Sequence, residues 1–146
     1  MQKSDLKIAL ISLQKDAEKE PPMGLVYLAT YLNNKTGLSR ENIKIFDRNY
    51  FNIEEELKKF NPHILGISSM TINYPDSVDF AKKIKSKMNI SIIIGGVHIS
   101  TLPESFKNCF DAGVIGEGEI TLNELVELYL KKEKFASSDL KKIKSI

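Results

Sequence analysis

Three short turns hold most of the residues in this 146-residue chain that could meet a ligand: Ser68-Ser69-Met70-Thr71, Gly95-Gly96-Val97-His98 and Gly116-Glu117-Gly118-Glu119. Each follows an apolar, strand-like run. Serine and threonine hydroxyls can hydrogen-bond a buried polar group. Paired glycines remove side chains, so a ring or a sugar can lie on the backbone. The Gly116–Glu119 turn also presents free N–H groups at the start of a helix. This is binding chemistry. Catalysis by the chain's own groups needs a nucleophile beside a base, and the sequence offers no such pair. His98 shares the binding edge but has no carboxylate or cysteine cluster with it, so a metal site made by protein alone is not expected. His63 stands at the start of a strand, on the opposite edge, and reads as a structural surface residue. Simpler roles stand beside these. Ser68 and Ser69 suit a loop cap, and Glu117 and Glu119 suit a helix N-terminus, where the dipole favours carboxylates.

The elements that must position these turns alternate between strand and helix. Leu6 to Ser12, Ile43 to Phe46, Ile64 to Ser68, Ile90 to Ile94 and Asp111 to Ile115 read as strands. They are short and rich in β-branched residues, as strands buried on both faces are. After a polar loop from Leu13 to Glu20, Pro21-Pro22 opens a helix with Leu25, Leu28, Tyr31 and Leu32 on one face, and Gly37 caps it. Ile53 to Phe60 is a charged helix stopped by Asn61-Pro62. Pro75 begins a helix that turns Val78, Ala81, Ile84 and Met88 inward. Pro103 to Lys107 is a short helical turn. Thr121 to about Lys132 is the last helix, with Leu122, Leu125, Val126 and Tyr129 inward. Such alternation predicts an α/β fold: a five-stranded parallel sheet of order 2-1-3-4-5 with helices on both faces and right-handed crossovers. The crevice of that topology lies between strands 1 and 3, and ligands bind along the strand C-terminal ends.

Composition narrows the partners. Apolar residues make up 42% and charged residues 27%, with a net charge of +2, an ordinary soluble balance. Lysines are spread along helices, so nucleic acid is not implied. The one cysteine, Cys109, forms no internal disulfide and no thiolate cluster, and fits a reducing compartment. No signal peptide precedes the first strand and no apolar run reaches the ~20 residues of a membrane span. A cytoplasmic location is expected. Familiar ligands of this topology fit poorly. The loop after strand 1, Gln14-Lys15-Asp16-Ala17-Glu18-Lys19-Glu20, would repel the phosphate of a flavin mononucleotide. A phosphoreceiver site lacks its acidic pair, since strand 1 ends in Ile11-Ser12-Leu13. A dinucleotide site lacks glycines in the first turn, the first glycine being Gly24.

The residues together resemble a known family, the N-terminal cobalamin (vitamin B12)-binding domain of B12-dependent radical SAM enzymes, including relatives of the anaerobic magnesium-protoporphyrin IX monomethyl ester oxidative cyclase. The resemblance rests on Pro21-Pro22-Met23-Gly24-Leu25 with Tyr27-Leu28-Ala29, Asp47, Pro62-His63-Ile64-Leu65-Gly66-Ile67-Ser68, Gly95-Gly96-Val97-His98 and Gly116-Glu117-Gly118-Glu119-Ile120-Thr121, in that order. It implies a flavodoxin-like (Rossmann-like) domain over 1–132, with cobalamin across the strand ends. The dimethylbenzimidazole tail would enter beside Ser68, Ser69, Met70, Thr71, Gly95, Gly96 and His98. The corrin would lie against the loop around Glu20 to Leu25, touching Pro22, Met23 and Gly24. Gly116, Glu117, Gly118 and Glu119 would line the outer wall.

Two features separate this chain from better-known relatives. The Asp-x-His-x-x-Gly motif that supplies a histidine to cobalt in methionine-synthase-type domains is absent, as it commonly is in the radical SAM relatives. The Cys-x3-Cys-x2-Cys motif that holds their 4Fe-4S cluster is absent too. S-adenosylmethionine and the cluster are therefore expected only in a C-terminal domain missing from this sequence, with 133–146 a polar tail or the start of a linker to it. The expected function is presentation of B12 to that radical SAM domain in cis, for methyl transfer, oxidative cyclisation or radical rearrangement of a small-molecule substrate. The alternative is a B12-free docking or substrate-recognition module of the same kind of enzyme. No residue is expected to be catalytic.

Overall fold

The computed structural model describes residues 1–14 and 22–140. Most of the loop after the first strand, Pro21 included, and the end of the tail lie outside the described residues, so the contact expected around Glu20 cannot be placed there. Five parallel strands, β1 (Ile8–Ser12), β2 (Ile43–Asp47), β3 (Ile64–Ser68), β4 (Ser91–Gly95) and β5 (Ala112–Gly113), pair in the order β2-β1-β3-β4-β5. This is the predicted doubly wound sheet. Helices α1 (Met23–Thr36) and α5 (Glu119–Lys132) cover one face, and α2 (Ile53–Phe60) and α3 (Tyr74–Lys87) the other. The short helices α4 (Val97–Thr101) and α6 (Ser137–Leu140) complete the chain.

Alternation along each strand divides the apolar residues between two cores. Ala9, Ile11, Leu65, Ile67, Ile92 and Ile94 pack with Ile53, Leu57, Ala81 and Ile84. Leu10, Ile64 and Ile93 pack with Leu25, Leu32, Leu125 and Val126. Each fully buried side chain of this size contributes roughly 1.5–3 kcal/mol. Gly37 at φ 75° and Asn61 at φ 52° end α1 and α2 in the left-handed region, as helix C-caps do. The side chain of Asn52 caps α2 by accepting from Glu55 N–H at 3.3 Å.

The structure corrects several boundaries. The fifth strand, expected over Asp111 to Ile115, is only Ala112–Gly113. Asp111 explains its late start: its carboxylate takes the Ile92 N–H at 2.7 Å, a donor that a longer strand would have used. The segment after Gly95 is not an open turn but helix α4, followed by a 3₁₀ turn at Pro103–Ser105. Val97, Ile99 and Thr101 are β-branched and weak helix formers, so tertiary contacts decide that segment. Helix α5 starts at Glu119 rather than Thr121, and α3 is preceded by a 3₁₀ turn, Thr71–Asn73. Within the segment read as a tail, Phe135 lies 5.7 Å from the Tyr129 ring, and Lys132 Nζ is 2.8 Å from the buried Asp139.

In-register pairing sets one row of strand-end residues across the sheet: Asp47, Ser12, Ser68 and Gly95. Beyond that row the β3 and β4 turns cross in contact. Ser69 N–H donates to Gly95 O at 3.0 Å, and His98 N–H donates to Ser69 O at 3.2 Å. Gly96 sits at the crossing with φ 103°, and a Cβ there would lie 2.5 Å from Ser69 O and 2.7 Å from Ser69 N. Those neighbours are backbone atoms and cannot swing away. Gly96→Ala is therefore expected to destabilise the protein by about 2–4 kcal/mol, read as a lower urea midpoint with an unchanged slope.

On the opposite face, Glu54 gathers Lys83 and Lys87 at 2.6 Å and Lys58 at 3.6 Å. The hydrogen bonds from Lys83 and Lys87 hold its carboxyl well below its usual 4.5, at about 2. The stabilisation this gives is full above the unfolded value and disappears as pH falls through the folded one. Thermal melts from pH 7 downward should show Glu54→Gln less stable than wild type above pH 4.5, with the two converging near pH 2. Added salt should shrink the difference, because the pairs are near the surface.

Candidate functional site

Glycine and serine at the strand ends leave a groove between the sheet and the N-terminal ends of α1 and α5, with about 210 Å3 of free space. Its floor is the Leu10–Gly66–Ile93 row of the sheet, continued outward by Ser68 and Gly95. Its roof is Gly24 and Leu28 from α1 with Gly118, the N-cap of α5, and Leu122 within it. A Cβ at Gly66 would come within 2.7 Å of Leu10 Cδ2, so the Leu10 side chain would have to shift. Gly95 is different. A Cβ there would meet only Val114, at 3.9 Å, so its missing side chain is groove space rather than packing necessity.

Of the residues singled out in the sequence, Gly24, Ser68, Gly95, Gly96, Gly116, Gly118 and Glu119 line this groove. Met23, Met70, Thr71 and Glu117 are exposed on the same edge of the sheet, and Pro22 is half-buried at the N-cap of α1. Ser69 and His98 are not open to the groove. They are buried behind its wall and bonded inside the protein. Asn73 Oδ1 accepts from Ser69 Oγ at 3.1 Å and from Met70 N–H at 2.8 Å, while its Nδ2 has no partner. Ser77 Oγ stands 3.1 Å from Ser69 Oγ. The His98 ring stacks on Tyr74 at 3.9 Å and reaches Thr71 Oγ1 and Ser105 Oγ at 3.2 and 3.0 Å. Burial raises the Tyr74 phenol and the nearby Cys109 thiol above their usual ranges, so both stay protonated at neutral pH.

Sequence reading missed the apolar floor and roof: Leu10, Gly66, Ile93, Leu28 and Leu122 were core or strand residues there. Gly66 carried the available signal, since a glycine inside a strand marks close approach. It also missed Asn73, Ser77 and Ser105, polar residues whose partners come only with the fold. The two histidines are both committed. His63, at the far end of the sheet, accepts Lys7 N–H on Nδ1 at 3.0 Å, and His98 is held as described. Among the described residues, no three His, Cys, Asp or Glu side chains gather as metal ligands, and no helix is long and apolar enough to cross a membrane. A wider depression of about 650 Å3 lies between α2 and α3. Four of its charged residues pair, Arg48 with Asp76 and Lys83 with Glu54. It has no counterpart to the small-residue floor, so the strand-end groove is the better candidate.

The chain is 35% identical over 115 residues to an uncharacterized methyltransferase, PH0819, of Pyrococcus horikoshii, a match covering 76% of this chain and 25% of that protein. It is 28% identical over 123 residues to cytidylyl-2-hydroxyethylphosphonate methyltransferase of Streptomyces wedmorensis, covering 68% and 23%. The chain thus spans about a quarter of the length of these relatives. In fold it is similar to the cobalamin-dependent S-adenosylmethionine radical enzyme OxsB, solved with aqua-cobalamin bound, with a TM-score of 0.72 and 22% identity over 88% of this chain and 19% of that one. The family model of the B12 binding domain matches residues 10–126, from the middle of β1 to the buried face of α5, and with that match the chain belongs to the B12-binding domain family.

Proposed function

We propose that this chain binds cobalamin by its nucleotide tail and presents it to a radical SAM domain elsewhere in a longer enzyme. The observation that carries the reading is the groove itself. It is flat-floored and apolar, and opens where Gly95 leaves side-chain space that the fold does not need. A heteroaromatic base fits such a slot, with the Ser68 hydroxyl and the backbone around Gly95 and Gly96 meeting its polar edge. Gly24 and Gly118 keep the roof thin at the mouth. When bound, cobalamin supplies a cobalt centre able to carry a one-carbon unit. The chain's own part is to grip the tail, shield it from water and leave the corrin on the open edge. Two relatives carry methyltransferase names, which favours methyl transfer to a small molecule over oxidative cyclisation as the parent reaction. S-adenosylmethionine and an iron–sulfur cluster would belong to the partner domain, since one cysteine cannot hold a cluster.

Both histidines are hydrogen-bonded within the protein, so no imidazole is offered to cobalt. Titration with aqua-cobalamin is expected to give a visible spectrum of the base-off form and a dissociation constant in the micromolar range, about 8 kcal/mol. The cobalt(II) state should lack nitrogen splitting from a protein imidazole in its electron paramagnetic resonance spectrum. Gly95→Leu should weaken binding by about 30-fold or more, equivalent to roughly 2 kcal/mol, and shift the melting temperature by only a few degrees. Absence of any spectral change, with the neighbouring domain also present, would instead indicate a docking module without B12.

A further inference from the structure

The groove's free space of about 210 Å3 is below the roughly 300–1,000 Å3 of sites that enclose a drug-sized ligand. A corrinoid held by its tail must lie mostly outside it, over the exposed rim. Thr71 stands on that rim, and its hydroxyl is 3.2 Å from Nδ1 of the buried His98. The other ring nitrogen, Nε2, is 3.0 Å from Ser105 Oγ. Ser105 Oγ donates its single proton to Leu102 O at 2.6 Å. With its proton on that carbonyl, Ser105 Oγ accepts from Nε2; this assignment puts the ring proton on Nε2 and leaves a lone pair on Nδ1. Nδ1 takes the Thr71 proton. What remains on the outward side of the Thr71 oxygen is acceptor capacity alone. Tyr74 fixes this arrangement by stacking on the ring at 3.9 Å while its hydroxyl donates to Ser105 O at 2.7 Å.

We propose that His98 is a positioning residue that sets the hydrogen-bond polarity of Thr71, so that the rim accepts a ligand carboxamide N–H and disfavours a carboxylate at the same place. The inference rests on the cobalamin reading above. Cobalamin carries carboxamides around its corrin, and mild acid hydrolysis turns one of them into a carboxylate. The amide can point its NH2 at Thr71, whereas the carboxylate brings a second acceptor. The titratable group facing the ring is the Tyr74 phenol, which burial keeps protonated. Glu104 adjoins Ser105 in the next turn and is exposed, and Asp76 on α3 is 3.4 Å from Arg48.

Two experiments test this on the full chain. Nitrogen-15 correlation spectra of the two imidazoles should show the Nε2–H tautomer for His98 at neutral pH. Affinities for cobalamin and its separated b-, d- and e-monocarboxylates should differ, with at least one acid about tenfold weaker at neutral pH. Thr71→Val, with a circular-dichroism melt to confirm that it still folds, should erase the gap. His98→Asn, whose amide can turn either way, should leave a smaller gap than wild type. An Nδ1–H tautomer, or a gap that survives Thr71→Val, overturns the inference while cobalamin binding stands. A chain that binds no corrinoid at any pH sinks the groove reading and the selectivity with it.

Discussion

Two backbones touch at Gly96, and the site exists because they can. The β3 and β4 turns exchange hydrogen bonds through Ser69, with no room between them for a methyl group. That contact fixes Ser68 beside Gly95 and turns the chain into α4, which delivers His98 to its place behind the wall. A positive φ at Gly96 makes the path open to glycine and strained for other residues. Parallel register does the rest. It lines up the ends of four strands, so that small residues scattered through the sequence become one edge.

The same sheet face serves stability and binding in different segments of each strand. Toward the strand starts, Ile8 and Ile64 are fully buried under the α1 and α5 core. Toward the strand ends, the residues shrink to Gly66, Ser68 and Gly95, and the helices part. Space left open in this way forgoes dispersion contacts that a filled core would make. On the opposite face the strand isoleucines are packed, and beside the α2–α3 depression Glu54 ties the helices together with lysines from both α2 and α3.

Much of the fold was legible because strand signals are local. Short β-branched runs separated by amphipathic helices admit few topologies, and right-handed crossovers reduce them further. The strand order and four of the five strands followed to within a residue or two. The exceptions share a cause. At β5, the Asp111 side chain takes a ladder donor and the pairing shortens. At α4, β-branched residues enter a helix because His98 is buried, stacked on Tyr74 and bonded to Thr71 and Ser105. Neither effect can be read from propensity, because each depends on a partner far along the chain.

For the site, residue types alone determined that three glycine- or hydroxyl-bearing turns stand at strand ends. They did not determine what each residue does. Gly95 and Gly96 look alike in sequence, yet one leaves space for a ligand and the other leaves space for a backbone. Ser68 faces the groove while Ser69 is buried in a polar network. His98 turns inward, and Thr71 remains on the rim. Composition and spacing specify which atoms are available. Only packing in three dimensions specifies which of them already have partners, and the unpartnered ones are what a ligand meets.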